Sequence, residues 1–451
     1  MIGPARLSAL TALRAIAEGR LDLPAALEVS RRGLTDDRDR ALCHDIVTGT
    51  VRWQRALDFR LAAASSRPLE KIDLQILLLL RLSAYQLLHL DRIPNAAVVD
   101  DAVNIARATG TASAAGFVNA VLRTLIRTRR TTVLPSRPTD PLDSPAALAY
   151  LGITQSHPAW LVERWLPRVG LAQADVWTQF NNTPSGQTLR VNTLRTSMAD
   201  ARRHLEAAEV ETAPLAYAPL GLQVTRGNAL VAAADGLVVV QDEASQLVSL
   251  ALGARPGERV LDLCAAPGGK TTAIAADMAN RGLLVACDVR PKRMRLLQDT
   301  VRRCGADIVR LVRVSGQGPL PFARRFDRVL VDAPCSGLGT LRRDPDVKWR
   351  RQPADLQALA EAQRRLLARA ADVVAPGGRL VYATCSSEPE ENDAVVEAFL
   401  TAHPEFARHP LAADASLPEA VRPLIGPDGA LRTQPWVHGL EAFYAAALTR
   451  R

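Results

Sequence analysis

Two cysteines stand where an apolar run gives way to a polar turn, Cys335 in "VDAPCSG" and Cys385 in "VYATCSSEPEEN", and an acid, Asp332, opens the first of these turns. In open α/β sheets, ligands collect beyond the carboxyl ends of the strands, so two thiols and a carboxylate at two such ends would face one crevice. A thiol in that place suits one reaction in particular. Carbon 5 of cytosine is a poor nucleophile until carbon 6 has been attacked. The ring then becomes an enamine able to accept a methyl group, and a cysteine thiolate is the side chain fitted to that addition. Asp332 would accept a hydrogen bond from the exocyclic amine of the base or stabilise a protonated ring nitrogen. The plainer use of an aspartate in "DAPC" is to cap the turn. A thiol with an ordinary pKa of about 8.5 is little ionised at neutral pH and needs help from its surroundings. "SSEPEE" reads as a capping box, Ser387 with Glu390, opening a helix whose amides would favour the Cys385 thiolate while its glutamates oppose it.

A third stretch, "VLDLCAAPGGKTT", lies between a strand pattern and a helix pattern, where backbone amides and a helix N-terminus can receive a polar or anionic ligand. A Walker phosphate loop requires G-x-x-x-x-G-K-[ST]; Gly269, Lys270 and Thr271 satisfy its end, but Cys264 stands at the first glycine. The dinucleotide pattern G-x-G-x-x-G is absent. An acid, Asp288, nevertheless ends the next strand about 20 residues on, where ribose hydroxyls are held in such folds. A ribose-bearing cofactor without a pyrophosphate fits what remains. S-adenosylmethionine suits that description, with Asp288 on its ribose and the 262–270 loop on its charged tail. A turn that merely packs helix on strand is the bland alternative.

Elements must hold these turns in place. From Leu7 to about Arg130, apolar residues recur at three- and four-residue intervals, which predicts a bundle of amphipathic helices. "RTTVLPSRPTDPLDSP" follows and reads as a linker, because repeated prolines remove backbone donors. The strand signals "TLRVNTL" and "GLQVT", with "SMADARRHLEAA" between them, predict a small α+β lobe. Beyond it, short Val/Leu strands alternate with helices, which predicts a mostly parallel, doubly wound sheet.

The bulk composition narrows the class. A chain of 451 residues is long enough for two or three domains. Its net charge of +9 comes from arginine clusters such as "RTLIRTRR" and "GTLRRDPDVKWRR", so a polyanionic partner is expected, with solvated arginine faces as the plainer account. The six cysteines are scattered without a C-x-x-C pair, which supports neither zinc nor structural disulfides and fits reduced thiols in a cytoplasmic protein. Cys43, Cys287 and Cys304 are expected to be small buried apolar residues, and Cys264 a loop residue without chemistry. The start of the chain has no basic-then-apolar leader, and the richest apolar run, "LQILLLLRLSAYQLLHL", is short and interrupted by Arg81, so neither export nor membrane insertion is expected.

Taken together, "DLCAAPGGKT", "DAPCSGLGTLRRDPDVKW" and "YATCSSEPEEN" resemble the RNA 5-methylcytosine methyltransferases of the NOL/NOP/Sun type. The first 130 residues, with "HDIVTGTVRW" and "IPNAAVVDDAVNIAR…GFVNAVLR", resemble the NusB-type helical RNA-binding domain. The likeness runs over essentially the whole chain. It implies a multidomain protein with an all-α NusB-like bundle at 1–130, a linker at 131–150, a small α+β RNA-binding lobe at 151–235, and a Rossmann-like class I methyltransferase domain at 236–451. It also implies S-adenosylmethionine-dependent methylation of carbon 5 of a cytosine in 16S rRNA. Cys385 would be the nucleophile that adds to carbon 6, and Cys335 would assist release once the carbon 5 proton is lost.

The family's cofactor positions map onto Cys264, Ala265, Ala266, Pro267, Gly268, Gly269, Lys270, Asp288 and Asp332. "VQDEASQLV" and "LRVNTL" match segments that border the family's active site and RNA path. One position departs: an acid in a "DG" or "DA" dipeptide usually follows the next strand, whereas here "VRVSGQGPLPF" offers Ser315 or Gln317. Weaker cofactor affinity is expected from that change. The implied partner is 16S rRNA or an early small-subunit assembly intermediate, with no metal, no membrane and nothing that demands more than a monomer. The alternatives are a tRNA or large-subunit rRNA substrate, or a non-catalytic ribosome-assembly factor, and retention of both Cys335 and Cys385 speaks against the last.

Overall fold

Aspartates start helices along the first part of the chain. In the computed structural model, which describes residues 3–451, Asp22, Asp36 and Asp73 each accept a hydrogen bond from a first-turn amide of the helix that follows. That satisfies donors a helix start would otherwise leave without a partner. The helices are α1 (Pro4–Ala17), α2 (Leu23–Arg32), α3 (Asp37–Arg52), α4 (Gln54–Ala64), α5 (Leu74–His89), α6 (Asn95–Ala108) and α7 (Ala115–Thr128). α5 carries the apolar run. Its Leu78, Leu79, Leu80 and Leu82 are at most 3% exposed, because a helix that is apolar on all sides must be surrounded by others. Each such leucine contributes about 1.5–3 kcal/mol by leaving water. The run's arginine, Arg81, binds Asp58 through two hydrogen bonds of 2.7 and 2.8 Å. Among the described residues, no helix is long and apolar enough to cross a membrane.

The stretch read as a linker contains a short helix, α8 (Ser144–Ala149), capped by the Asp143 side chain and carrying Pro145 in its first turn. A proline there loses nothing, since first-turn N–H groups have no helical acceptor. The next helix, α9 (Ala159–Asn182), breaks at Gly170, whose φ of 73° no helix allows.

Two compact units divide the chain. One runs to Pro184 and takes in Leu341–Gln352; the other comprises Ser185–Thr340 and Pro353–Arg451. The second unit begins with a four-stranded antiparallel sheet of order β2-β3-β1-β4, made of β1 (Thr188–Val191), β2 (Glu211–Pro214), β3 (Gly221–Arg226) and β4 (Val238–Val240). α10 (Met198–Ala207) and α11 (Leu230–Ala234) complete this lobe.

After α12 (Glu243–Leu252) come β5 (Arg259–Asp262), α13 (Gly269–Asp277), β6 (Leu283–Asp288), α14 (Pro291–Cys304), β7 (Val309–Arg313) and β8 (Phe326–Asp332). α15 (Val347–Arg350) belongs to the 341–352 segment, and the chain then continues through α16 (Pro353–Ala371), β9 (Val374–Thr384), α17 (Asp393–Ala402), β10 (Phe406–Arg408), β11 (Leu431–Arg432) and β12 (Tyr444–Arg450). The strands order as β10-β12-β9-β8-β5-β6-β7, with β11 paired to β12. From β9 to β7 every pairing is parallel, while β12 joins β9 and β10 antiparallel. Val260, Leu261, Val329, Leu330, Val331, Leu380 and Val381 are fully buried, as parallel strands covered on both faces must be. The strand order reverses between β5 and β8, and in sheets of this kind that is where the crevice opens.

Candidate active site

The crevice is built by three turns. The one after β5 passes through Gly268, which caps α13 with φ 110°; a Cβ there would meet Leu297 at 3.0 Å and Thr300 at 3.2 Å. Glycine therefore answers both the backbone angle and the packing. Lys270, in the first turn of α13, donates to Asp332 Oδ2 across 2.7 Å. Burial works against its ammonium, but Asp332, joined by Cys385 and Asp262, outweighs that and raises Lys270 above its ordinary value. Asp262 ends β5 and opens the 262–270 loop that the sequence assigns to the cofactor's charged tail. It is fully buried, its Oδ2 accepts a hydrogen bond from Thr271 Oγ1 at 2.7 Å, and its Oδ1 has no partner. Burial pushes this carboxyl up to about 7, against the Thr271 hydroxyl and with Asp332 adding.

The other two turns bring the thiols together. β8 and β9 pair in parallel with Asp332 opposite Ala383, and the Ala333 amide donates to the Ala383 carbonyl at 2.8 Å. Their continuations therefore leave the sheet side by side, with Cys335 Sγ 3.2 Å from Cys385 Sγ. Gly339 ties them further by donating its N–H to the Cys385 carbonyl at 2.9 Å. A Cβ on Gly339 would fall 1.9 Å from the Ala442 carbonyl oxygen and 2.8 Å from that of Cys385, which explains the glycine in "SGLGT". The Cys335 thiol is held well above its ordinary range by its hydrogen bond with Cys385, by burial, and by the charges of Cys385 and Glu391.

The expected capping box at Ser387 and Glu390 does not form. Pro389–Glu391 is a single 3-10 turn and α17 starts only at Asp393, with Asn392 in the cap position making no side-chain cap. Asn392 is engaged elsewhere, accepting from Thr384 Oγ1 and donating to the Ser386 carbonyl at 2.9 Å. The fully buried Glu391 is the residue in this stretch that the sequence reading missed. Its Oε1 accepts from the Ser336 amide at 2.8 Å and from Gln363 Nε2 at 2.9 Å, and its Oε2 accepts from the hydroxyls of Ser336 and Ser386. Glu388 is fully buried as well, and nothing in a glutamate-rich turn marks Glu391 as the one that holds both cysteine turns.

Beside the crevice lies a cavity of about 960 Å³ whose walls include Cys264, Asp288, Ser315 and Gln317, with Val314 and Leu366 among the apolar side chains. Asp288 is buried at the end of β6, accepting from the Arg290 amide at 3.0 Å, with Arg293 Nε 3.5 Å from its other oxygen. Arg293 also donates to the Ala266 carbonyl, linking the acid to the glycine turn. Arg369, likewise missed, donates to the carbonyls of Ser315, Gly316 and Gly318 and so shapes the wall that carries Ser315 and Gln317. A buried acid at a strand end and apolar walls fit a nucleoside. Ala265, Ala266, Pro267, Gly268, Gly269, Lys270 and Asp332 do not line this cavity; they form the adjoining turn and strand end.

Cys43, Cys287 and Cys304 are fully buried, and burial pushes the Cys287 thiol up to about 12, as suits packing rather than reaction. Cys264 is half-buried on the cavity wall, its thiol raised by burial and by Asp332, Asp262 and Asp288. Among the described residues no His/Cys/Asp/Glu group could hold a metal ion. Arg190 on β1 reaches the glycine turn from the small lobe, donating to Gln241 Oε1 at 2.8 Å, Thr272 Oγ1 at 2.8 Å and the Gly269 carbonyl at 3.2 Å.

Known proteins share this organisation. The family described as 16S rRNA methyltransferase RsmB/F matches residues 249–449, the NusB family matches 4–127, and the ferredoxin-like domain of RsmF/B-like methyltransferases matches 157–230. The chain is 36% identical over 421 residues to the probable ribosomal RNA small subunit methyltransferase B of Bacillus subtilis, covering 92% of this chain and 91% of that one. Identity to the ribosomal RNA small subunit methyltransferase B of Pseudomonas putida is 33% over 451 residues, covering 99% and 98%. The crystal structure of PH0851 matches 99% of both chains with a TM-score of 0.80 and 27% identity. A methyltransferase homolog protein from Pyrococcus horikoshii matches 68% of this chain and 100% of that one, with a TM-score of 0.58 and 29% identity. With its NusB-like bundle, small lobe and Rossmann-like domain, the chain belongs to the RsmB/F family of S-adenosylmethionine-dependent 16S rRNA methyltransferases.

Proposed function

We propose that this chain methylates carbon 5 of a cytosine in small-subunit rRNA through a transient bond between Cys385 and carbon 6 of the ring. The observation that carries the reading is the pair of sulfurs 3.2 Å apart at the ends of neighbouring parallel strands, next to the Lys270–Asp332 ion pair. A single thiol would serve the attack; a second within reach serves the release.

The Cys385 thiolate adds to carbon 6, and the carbon 5–carbon 6 double bond supplies the electron pair that makes carbon 5 nucleophilic. Asp332 at the base's polar edge accepts a hydrogen bond from the exocyclic amine or steadies a protonated ring nitrogen, and Lys270 holds that carboxylate in place. Asp288 would bind the ribose of S-adenosylmethionine, and the turn from Cys264 to Lys270 its charged tail. When bound, the cofactor supplies a methyl group on a positively charged sulfur. Loss of the carbon 5 proton restores the double bond and expels Cys385, a step that Cys335 assists.

Paired variants test this with purified protein, labelled cofactor and 16S rRNA fragments. Cys385→Ala abolishes transfer without trapping RNA, whereas Cys335→Ala accumulates a covalent protein–RNA species. The reverse pattern swaps the two roles. Label recovered on any atom other than carbon 5 of cytosine overturns the proposal.

A further inference from the structure

We infer that Glu391 is the positioning residue of the thiol pair, a buried clamp that fixes the Cys335 and Cys385 turns against each other and gives the two sulfurs different surroundings. This rests on the reading of Cys385 as the attacking thiol. Ser336 follows Cys335 in the chain and Ser386 follows Cys385, and one carboxylate accepts hydrogen bonds from both hydroxyls, from the Ser336 amide and from Gln363. Gln363 also donates to the Pro334 carbonyl at 3.0 Å, so its single amide holds both the clamp and the residue before Cys335. A fully buried carboxylate is expensive unless its oxygens are satisfied. Here four donors satisfy them, and all four belong to the cysteine turns or to α16 behind them. A carboxylate serving only the packing of α17 would not be tied on both sides to residues that neighbour the reactive sulfurs.

Charged groups act on both sulfurs. Glu391 acts on Cys335 and favours its protonated form. Lys270, paired with Asp332, couples to Cys385. Tyr382, whose hydroxyl donates to the Glu391 backbone carbonyl at 2.6 Å, is held protonated by burial and by the charges of Cys335, Glu391 and Tyr444. A proton retained on Cys335 leaves Cys385 as the sulfur that attacks.

The test uses the full-length chain and two readouts. One is the rate of alkylation of each thiol by iodoacetamide across a pH series, assigned by mass spectrometry. The other is the rate of covalent adduct formation with RNA carrying 5-fluorocytosine, in which the carbon 5 fluorine blocks release. In Glu391→Gln the preference for alkylating Cys385 over Cys335 at neutral pH falls about tenfold, the effect of one pKa unit, and adduct formation slows. In Ser386→Ala, which keeps the charge and removes one arm of the clamp, adduct formation slows several-fold while the pH dependence of Cys335 alkylation is unchanged.

A Glu391→Gln protein with the native alkylation preference and native adduct rate overturns the inference. If that variant does not fold, a Ser386→Ala protein with the native adduct rate overturns the clamp. Altered thiol selectivity in Glu391→Gln alongside a methylated product other than 5-methylcytosine would sink the proposed function and leave this inference standing; the opposite combination would sink this inference alone.

Discussion

Two lysines, one in each unit, have opposite fates. Lys270 in the catalytic unit lies 2.7 Å from the Asp332 carboxylate and is held above its ordinary pKa. Lys348, carried by the 341–352 segment within the helical unit, is 1% exposed; its Nζ donates to the Arg52 carbonyl at 3.0 Å and to Asn182 Oδ1 at 3.5 Å. Among the described residues no carboxylate pairs with it. Burial, with the Arg52 charge beside it, drives its pKa well below the ordinary lysine range. Nearby His157 is pushed down in the same way, with Nδ1 on the Gln155 carbonyl and Nε2 facing the Asn181 amide. A buried amine keeps its charge only where the fold sets a counter-charge against it. In this protein the site sets a carboxylate against its lysine, whereas the scaffold lysine is held by hydrogen bonds to a carbonyl and an amide oxygen.

Variants that remove each lysine give the sharpest contrast. Lys270→Met should lower the single-turnover rate of methyl transfer by about 10²–10³, the size of effect seen when one preorganised polar group is lost from a reacting site. A loss below tenfold would break the comparison, since Lys270 would then be no more than another scaffold amine.

Asp262 is the converse case, a buried acid with no cation of its own. Its folded pKa of about 7 lies above the ordinary aspartate value of 3.8, so between those pH values the folded state holds a proton that the unfolded chain has released. Stability from this group is therefore full below about pH 4 and is lost as pH rises to about 7. Thermal melts across that window should show a decline for the native chain and a shallower one for Asp262→Asn. Identical slopes would mean that Asp262 is already ionised in the fold.

Lys348→Met should cost about 1–3 kcal/mol, because the Arg52 carbonyl loses a donor, and should leave the transfer rate per folded molecule intact. A fall in that rate comparable with Lys270→Met would erase the distinction between the two lysines. The smallest effect concerns the cavity wall at Ser315. Ser315→Asp should tighten S-adenosylmethionine binding by roughly threefold to tenfold, the worth of one added hydrogen bond, read by titration calorimetry. An unchanged dissociation constant would show that Gln317 or the wall held by Arg369 already does the acid's work.

These outcomes divide along a line between local pattern and long-range pairing. The helical bundle was legible because three- and four-residue spacing reports helix faces directly. Asp288, Cys335 and Cys385 were legible because each ends a strand whose Val/Leu run is itself local. The capping box at Ser387 was misjudged for the same reason: its motif is local, but Asn392 is drawn to Thr384 and Ser386, and the helix begins later. Arg369 and Gln363 were missed because their partners are distant in sequence, and a solvated arginine or glutamine on a helix looks no different.

The sequence by itself determined which groups were available and in what order they would arrive: a glycine turn after one strand, an acid after the next, and a thiol after each of two more. Periodicity and turn chemistry act over a few residues, so these features needed no knowledge of the whole. Only the tertiary structure decided that Lys270 would meet Asp332, 62 residues away, that two sulfurs would come within 3.2 Å, and that one glutamate among several would hold both cysteine turns. Those pairings follow from parallel strand register and from burial, where low polarity makes each unmatched charge costly and each matched one decisive.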